Sequence, residues 1–161
     1  MVAATFLNRY TGRMSTTLYA KNKKAYAFYE VLDKFEAGVQ LAGGEVKSVK
    51  AGQLNLKGSY VDIAENAAWL RNVHVTNYKY DHSPQDPARV RKLLLHKEQL
   101  LKLEQLQKQK GITIIPLEVY GVKNLVKVLI GVCRGKKTHD RREDLKKKAQ
   151  NIDIKRALKQ Y

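Results

Sequence analysis

The stretch Ile112-Thr113-Ile114-Ile115-Pro116-Leu117-Glu118-Val119-Tyr120, the linker Gly121-Val122-Lys123-Asn124 and the run Leu125-Val126-Lys127-Val128-Leu129-Ile130-Gly131-Val132 decide the fold class. Both runs are dense in β-branched residues, which suit a pleated surface, so they predict a β-hairpin that closes a sheet. Immediately upstream, Lys97 to Lys110 carries Leu100, Leu103 and Leu106, with Leu101 beside them, until Gly111. That spacing predicts a helix, entered from Leu93-Leu94-Leu95.

Further out, Ser59-Tyr60-Val61-Asp62-Ile63 and Asn72-Val73-His74-Val75-Thr76 alternate polar and apolar residues, the signature of strands with one buried face. Tyr26 to Gln40 reads as one or two strands, and Glu45 to Ala51 as two helical turns ended by Gly52. Asp81-His82-Ser83-Pro84-Gln85-Asp86-Pro87 reads as a polar loop, because prolines and the residues before them disfavour regular structure. The expectation is a mainly β domain with attached helices. A small closed antiparallel barrel of the oligonucleotide-binding type is a natural form of it, spanning residues 21–133.

The two ends differ from this middle. Residues 1–29 contain no acidic residue, and residues 1–20 are expected to be a flexible extension. An organellar transit peptide has a similar composition, and Met14 offers an alternative start. From Arg134 to Tyr161 there are 11 Lys/Arg against 4 Asp/Glu. Leu145, Ala149 and Ile152 would lie on one side of a helix there and Ile154, Ala157, Leu158 and Tyr161 on the other, so no continuous apolar stripe exists to hold it down. This basic tail is expected to be disordered when free and to turn helical against phosphates.

Over the 161 residues, 31 Lys+Arg face 15 Asp+Glu, for a formal net charge of +16. Such an excess is a statement about partners: it attracts polyanions. No apolar run spans a bilayer and none reads as a secretory signal. The lone Cys133 cannot form an internal disulfide, which suits a reducing, cytosolic compartment and burial as a small hydrophobe.

Chemistry has few candidates. Asp81, His82 and Asp86 form the one local group with metal-ligand character, read as a solvated loop, and there is no phosphate-binding glycine motif. Cations instead recur as Lys21-Lys23-Lys24, Lys47-Lys50, Arg89-Arg91-Lys92 and Arg134-Lys136-Lys137. Nine tyrosines, Tyr78 and Tyr80 among them, offer rings for unpaired bases. An RNA-binding protein without catalytic residues, metal or cofactor is expected. A ribosomal or ribosome-assembly protein, and more remotely a metal-dependent nuclease, share that composition.

The order of motifs is itself informative: Asn22-Lys23-Lys24-Ala25, Phe35-Glu36-Ala37-Gly38, Gly44-Glu45-Val46-Lys47-Ser48, Ala51-Gly52, Asn55-Leu56, Asp86-Pro87, Arg89, Arg91-Lys92-Leu93-Leu94-Leu95, Ile115-Pro116-Leu117, Gly135-Lys136-Lys137 and His139-Asp140-Arg141-Arg142-Glu143-Asp144. Over residues 21–148 this string resembles the SsrA-binding protein family, also called the small protein B family.

The resemblance implies an oligonucleotide-binding-type barrel that binds the tRNA-like domain of transfer-messenger RNA. It further implies delivery of that RNA, by a protein that is a monomer when free, to the empty A site of stalled ribosomes, with no reaction of its own. It places RNA contacts at Asn22, Glu36, Leu94 and Lys127, beside the basic positions Lys23, Lys24, Arg91 and Lys92. It places Lys136, Lys137, His139, Asp140, Arg141 and Arg142 at the ribosomal decoding centre and small-subunit RNA, in a basic tail that also holds Arg134, Lys146, Lys147 and Lys148. Glu36 suits such a surface because a carboxylate accepts hydrogen bonds from base edges or ribose hydroxyls, although a salt bridge to a nearby Lys would use it equally well. Gly121 departs from the pattern, standing where the family commonly has an aromatic ring.

Overall fold

The computed structural model describes residues 16–158. Residues 1–15 of the expected extension therefore lie outside the described part. Its last five residues do not form an extension at all. Thr16–Lys21 is strand β1, which pairs with a later strand, and Tyr19 and Ala20 pack on the core.

Asn22 then turns the chain: its Oδ1 accepts the Ala25 N–H at 3.1 Å and starts helix α1, Lys23–Phe28. The sequence reading made Tyr26–Phe28 strand. The alternation of Tyr26 and Phe28 misled it, because the cap that imposes a helical turn sits four residues upstream. Strand β2 follows at Tyr29–Val39 and helix α2 at Gly43–Lys50, where the Glu45 carboxylate accepts the Ala42 N–H at 2.9 Å. Short β3, Leu54–Asn55, pairs with β6, His74–Val75. Between them β4, Tyr60–Ala64, and β5, Ala67–Arg71, form a hairpin through Glu65 and Asn66, both at positive φ.

After the long loop comes β7, Arg91–Leu94, a strand where only an approach to the helix was expected. Helix α3, Lys97–Gln107, precedes the hairpin of β8, Ile112–Val122, and β9, Leu125–Gly135. The strands run through Val122, so the turn is only Lys123-Asn124, with Lys123 at positive φ. Finally, Thr138–Leu158 is helix α4.

Strands β8, β4, β5, β7, β2 and β9 are joined in that order, and β9 pairs again with β8, so the sheet closes into a ring with β1 added along β8. The mainly β architecture with attached helices is therefore present. The closing contact between β4 and β8 is slight, a single pair at Val61 and Ile114. Helix α3 reinforces that seam: Leu103 is wholly buried, and Gln107 Oε1 accepts the Ile63 N–H at 2.8 Å. A backbone donor that a longer strand would have satisfied is thus not left orphaned.

The ring encloses the main core, with Ala37, Val61, Leu70, Leu93, Ile114, Val128, Ile130 and Val132 inside. A smaller cluster lies outside it under α1, where Ala25 meets Ile115, Leu117 and Cys133. Burial on both faces explains why residues 114–117 are continuously apolar, and the register shift between Pro116 and Glu118 returns Val119 to the ring interior. Cys133 is fully buried, and burial pushes its thiol up to about 11.

Strand β9 continues to Gly135, pairing Arg134 with Glu30. The ring domain therefore ends two residues later than expected, and Arg134 is a strand residue rather than part of the tail. The tail, expected to lack structure when free, is helical in the structure. Lys and Ala favour helix, and its first turns are tethered: Lys136 pairs with Asp144, and the Arg141 guanidinium lies 5.2 Å from the centre of the Phe28 ring. Beyond that root the described side chains of residues 145–156 are exposed, Leu145, Ile152 and Ile154 included.

Candidate nucleic-acid interface

Pairing registers assemble the candidate site from four strands. Leu94 on β7 is opposite Gly38 on β2, Gly38 is opposite Lys127 on β9, and Lys127 is opposite Tyr120 on β8. These four residues form one row across the strands. Glu36 is two residues from Gly38 along β2, on the same face of the strand. Its carboxylate accepts the Tyr120 O–H and stands 3.8 Å from Lys127 Nζ.

Glu36 nevertheless keeps 52 % of its side chain exposed, and Leu94 is 55 % exposed. The salt bridge and the open carboxylate, alternatives on sequence alone, coexist. Tyr120 and Lys127 fix the carboxylate in position while it still faces solvent. Burial, then the hydrogen bond and charge of Glu36, raise the Tyr120 phenol well above its ordinary range, so it stays a donor at any physiological pH. A Cβ on Gly38 would sit 3.2 Å from Leu94 Cβ, so the glycine makes room for the exposed leucine beside it.

Sequence reasoning missed Tyr120. The available signal was the hairpin itself: pairing Ile112–Val122 with Leu125–Gly135 around a two-residue turn places Tyr120 opposite Lys127. The Gly121 departure also has a cause, since a Cβ there would stand 2.3 Å from Tyr19 Oη. The Tyr19 ring fills that space, and Gly121 is buried beneath it.

Two expected contact residues are corrected. Arg91 is 1 % exposed, and all five of its N–H groups are used inside the protein: Nε and Nη2 on Glu45 at 3.0 and 2.7 Å, Nη1 on the carbonyls of Val73 and Arg89, and Nη2 also on the carbonyl of Pro87. It cannot reach RNA. Arg89 closes over the same carboxylate, with Nε 2.9 Å from Oε1. Burial alone would raise the Glu45 carboxyl, but the hydrogen bonds from Arg89, the Ala42 N–H and Arg91 outweigh it and hold Glu45 below the usual carboxylate range.

Asn22 is likewise buried. Its Nδ2 donates to the carbonyls of Leu56 and Pro116 at 3.2 and 3.1 Å, while Oδ1 caps α1. Its role is to join three segments, and the exposed cations of that helix are its neighbours Lys23 and Lys24. Lys92 is exposed on the outer side of β7, next to Leu94 along the same face.

In the tail, Lys137, Asp140, Arg142, Lys146, Lys147 and Lys148 are exposed, whereas Lys136 and Arg141 are engaged with Asp144 and Phe28. The Lys136 ammonium, by hydrogen bond and charge, holds the Asp144 carboxyl below its ordinary value. The His139 side chain lies outside the described residues.

Asp81 and Asp86 accept the N–H groups of Ser83 and Ala88, bracing their own loop, and no group of three or more potential metal ligands forms among the described residues. Tyr78 and Tyr80 do come together, edge to face at 5.7 Å, with Lys47 and Lys79 over their rings. No helix among the described residues is long and apolar enough to cross a membrane.

A ring of strands with an anchored carboxylate on a cationic outer face, continued by an exposed cationic helix, defines a polyanion-binding β protein. Comparison with known proteins narrows that class. The family model described as "SmpB protein" matches residues 19–160. The SsrA-binding protein of Lacticaseibacillus casei (strain BL23) is 48 % identical over 143 residues, covering 88 % of this chain and 91 % of that protein. The SsrA-binding protein of Gloeothece citriformis (strain PCC 7424) is 45 % identical over 151 residues, covering 91 % and 96 %. A solved structure described as "tmRNA-SmpB: a journey to the center of the bacterial ribosome" aligns with a TM-score of 0.64 at 40 % identity, covering 74 % of this chain and 85 % of that one. The chain belongs to the SmpB, or SsrA-binding protein, family.

Proposed function

We propose that this protein is an RNA-binding adaptor of ribosome rescue: it binds the tRNA-like domain of transfer-messenger RNA and carries it to the vacant A site of stalled ribosomes in the cytoplasm. It catalyses no reaction. The observation that carries the reading is the row of Leu94, Gly38, Lys127 and Tyr120 with Glu36 beside it, open to solvent in a chain of this family. A cation can meet only phosphates and acceptor edges, whereas the anchored Glu36 carboxylate accepts from amino groups and ribose hydroxyls. The face therefore supplies selectivity where the lysines supply affinity.

The packing supports a division of labour. The ring is closed and cored, and its outer face holds the tRNA-like RNA. Among the described residues, helix α4 is tethered to the ring near its root, and its exposed cations are suited to ribosomal RNA lining an empty message channel. Phosphates would repay the free energy of holding so basic a helix in one place, which suits a sensor that engages only when the channel is vacant.

The test is binding of labelled tRNA-like domain against unrelated transcripts at physiological salt, followed by the same assay with the chain ended after Gly135. Preference for the tRNA-like RNA is expected, retained by the shortened chain, while tagging on stalled ribosomes is lost. Equal binding to all transcripts would refute the adaptor reading, and loss of RNA binding on shortening would refute the division.

A further inference from the structure

A cleft lies on the outer side of the ring next to the Glu36 face. Trp69 on β5 is opposite Lys92 on β7, and the Gln40 N–H donates to the Lys92 carbonyl at 2.9 Å, so these three positions run side by side across the strands. They form a row parallel to that of Leu94 and Gly38, two residues away along β7 and β2. The segment 85–90 borders them, contributing Gln85, Arg89 and Val90 to the walls. The cleft is open to solvent and has a volume of about 330 Å³, at the low end of the roughly 300–1,000 Å³ of small-molecule sites.

Three features of this cleft point to one kind of occupant. Its lining holds two cations, Arg89 and Lys92, and no carboxylate, and Lys92 forms no ion pair among the described residues. It contains an indole on the outward face of the strand that is only partly buried and whose N–H donates to the Ala64 carbonyl at 3.4 Å, which holds the ring in place. The wall formed by the segment 85–90 is held in place before any ligand arrives. The buried Arg91 binds the carbonyls of Pro87 and Arg89, and Glu45 fixes the Arg89 guanidinium. A planar ring, amide groups on Gln40 and Gln85, and an unpaired ammonium are the elements that receive a base by stacking and edge contacts and a phosphate by charge.

We propose that this cleft takes one unpaired nucleotide of the RNA bound on the Glu36 face, its base stacked on Trp69 and its phosphate on Lys92; the proposal rests on the RNA-binding reading above. The Arg91–Glu45 network then acts at one remove, as the brace that keeps the cleft formed. The site lies directly along the strands from Leu94, so a single RNA strand leaving that face enters it without a turn.

Trp69 is the only tryptophan of the chain, so its emission reports the cleft without a label. In full-length protein titrated with the tRNA-like domain, quenching that saturates at one RNA per protein is expected, in step with the anisotropy of labelled RNA. Trp69→Leu should weaken binding about 5- to 150-fold, the range for loss of one base–aromatic stack, whereas Trp69→Phe should stay within threefold of the parent. Lys92→Gln should lower the slope of log affinity on log salt by about 0.7–0.9, one phosphate contact. RNA that binds by anisotropy without changing the emission, or a folded Trp69→Leu that binds within twofold of the parent, overturns the cleft and leaves the adaptor reading intact. Absence of any preference for the tRNA-like RNA in the parent protein overturns both.

Discussion

Glu45 and Glu36 each hold basic side chains, yet they do opposite work. Glu45 is 5 % exposed, is shared by two arginines and joins α2 to the long loop and β7. Glu36 is half exposed and is held by one phenol and one lysine on an open face. In the first, every acceptor and donor is consumed internally, so the group is structure. In the second, two neighbours fix the carboxylate while solvent still reaches it, so the group can be offered to a partner. The pair teaches that the same chemistry becomes scaffold or surface according to burial alone.

The comparison breaks most visibly at Glu45. Glu45→Ala leaves the Arg91 guanidinium buried without its counter-charge and should cost about 3–5 kcal/mol, read as a lowered urea midpoint. A loss under about 1 kcal/mol would show that Glu45 is not part of the scaffold.

Acid sharpens the same contrast. Because the folded Glu45 carboxyl sits below its unfolded value, it contributes stability that is fully present above the unfolded pKa near 4.3 and is lost as pH falls through the folded value. Urea midpoints followed downward from pH 6 should therefore fall below about pH 4.5, and Glu45→Gln should show a shallower decline.

Glu36→Ala should change stability by less than about 1 kcal/mol, since exposed pairs contribute little. Its affinity for the tRNA-like RNA should drop about tenfold or more, the worth of a hydrogen bond to a charged group. A large fall in melting temperature together with unchanged affinity would place Glu36 with Glu45 as scaffold. The smallest effect is expected for Tyr120→Phe, which frees the Glu36 carboxylate without removing it. A loss of affinity of about two- to fivefold, with a melting temperature within a few degrees of the parent, is the expected result, and a loss as deep as that of Glu36→Ala would make Tyr120 a contact rather than a positioning residue.

Local pattern carried the sequence reading far where a signal is contained in neighbouring residues. The β8–β9 hairpin, the α2 and α3 helices and the proline loop are all legible from period, β-branching and turn residues. Helix α1 was not, because its six residues have no period of their own and depend on the Asn22 cap. Strand β1 was not, because Thr16–Lys21 gains its pairing only from β8, a hundred residues away. Arg91 and Asn22 were misplaced for one reason: a basic or amide side chain in a cluster looks solvent-facing until Glu45, Val73, Leu56 and Pro116 are known to surround it.

What the amino-acid sequence determined by itself is the alternation that makes strands, the excess of cations that asks for a polyanion, and the order of motifs that marks the family. What only the tertiary structure decided is which of those polar residues face outward. Closing the ring brings Leu94, Gly38, Lys127 and Tyr120 into one row from three distant segments, and the same closure buries Arg91 three residues from Leu94. Burial and cross-strand register are properties of pairs far apart in the chain, and no window along it contains them.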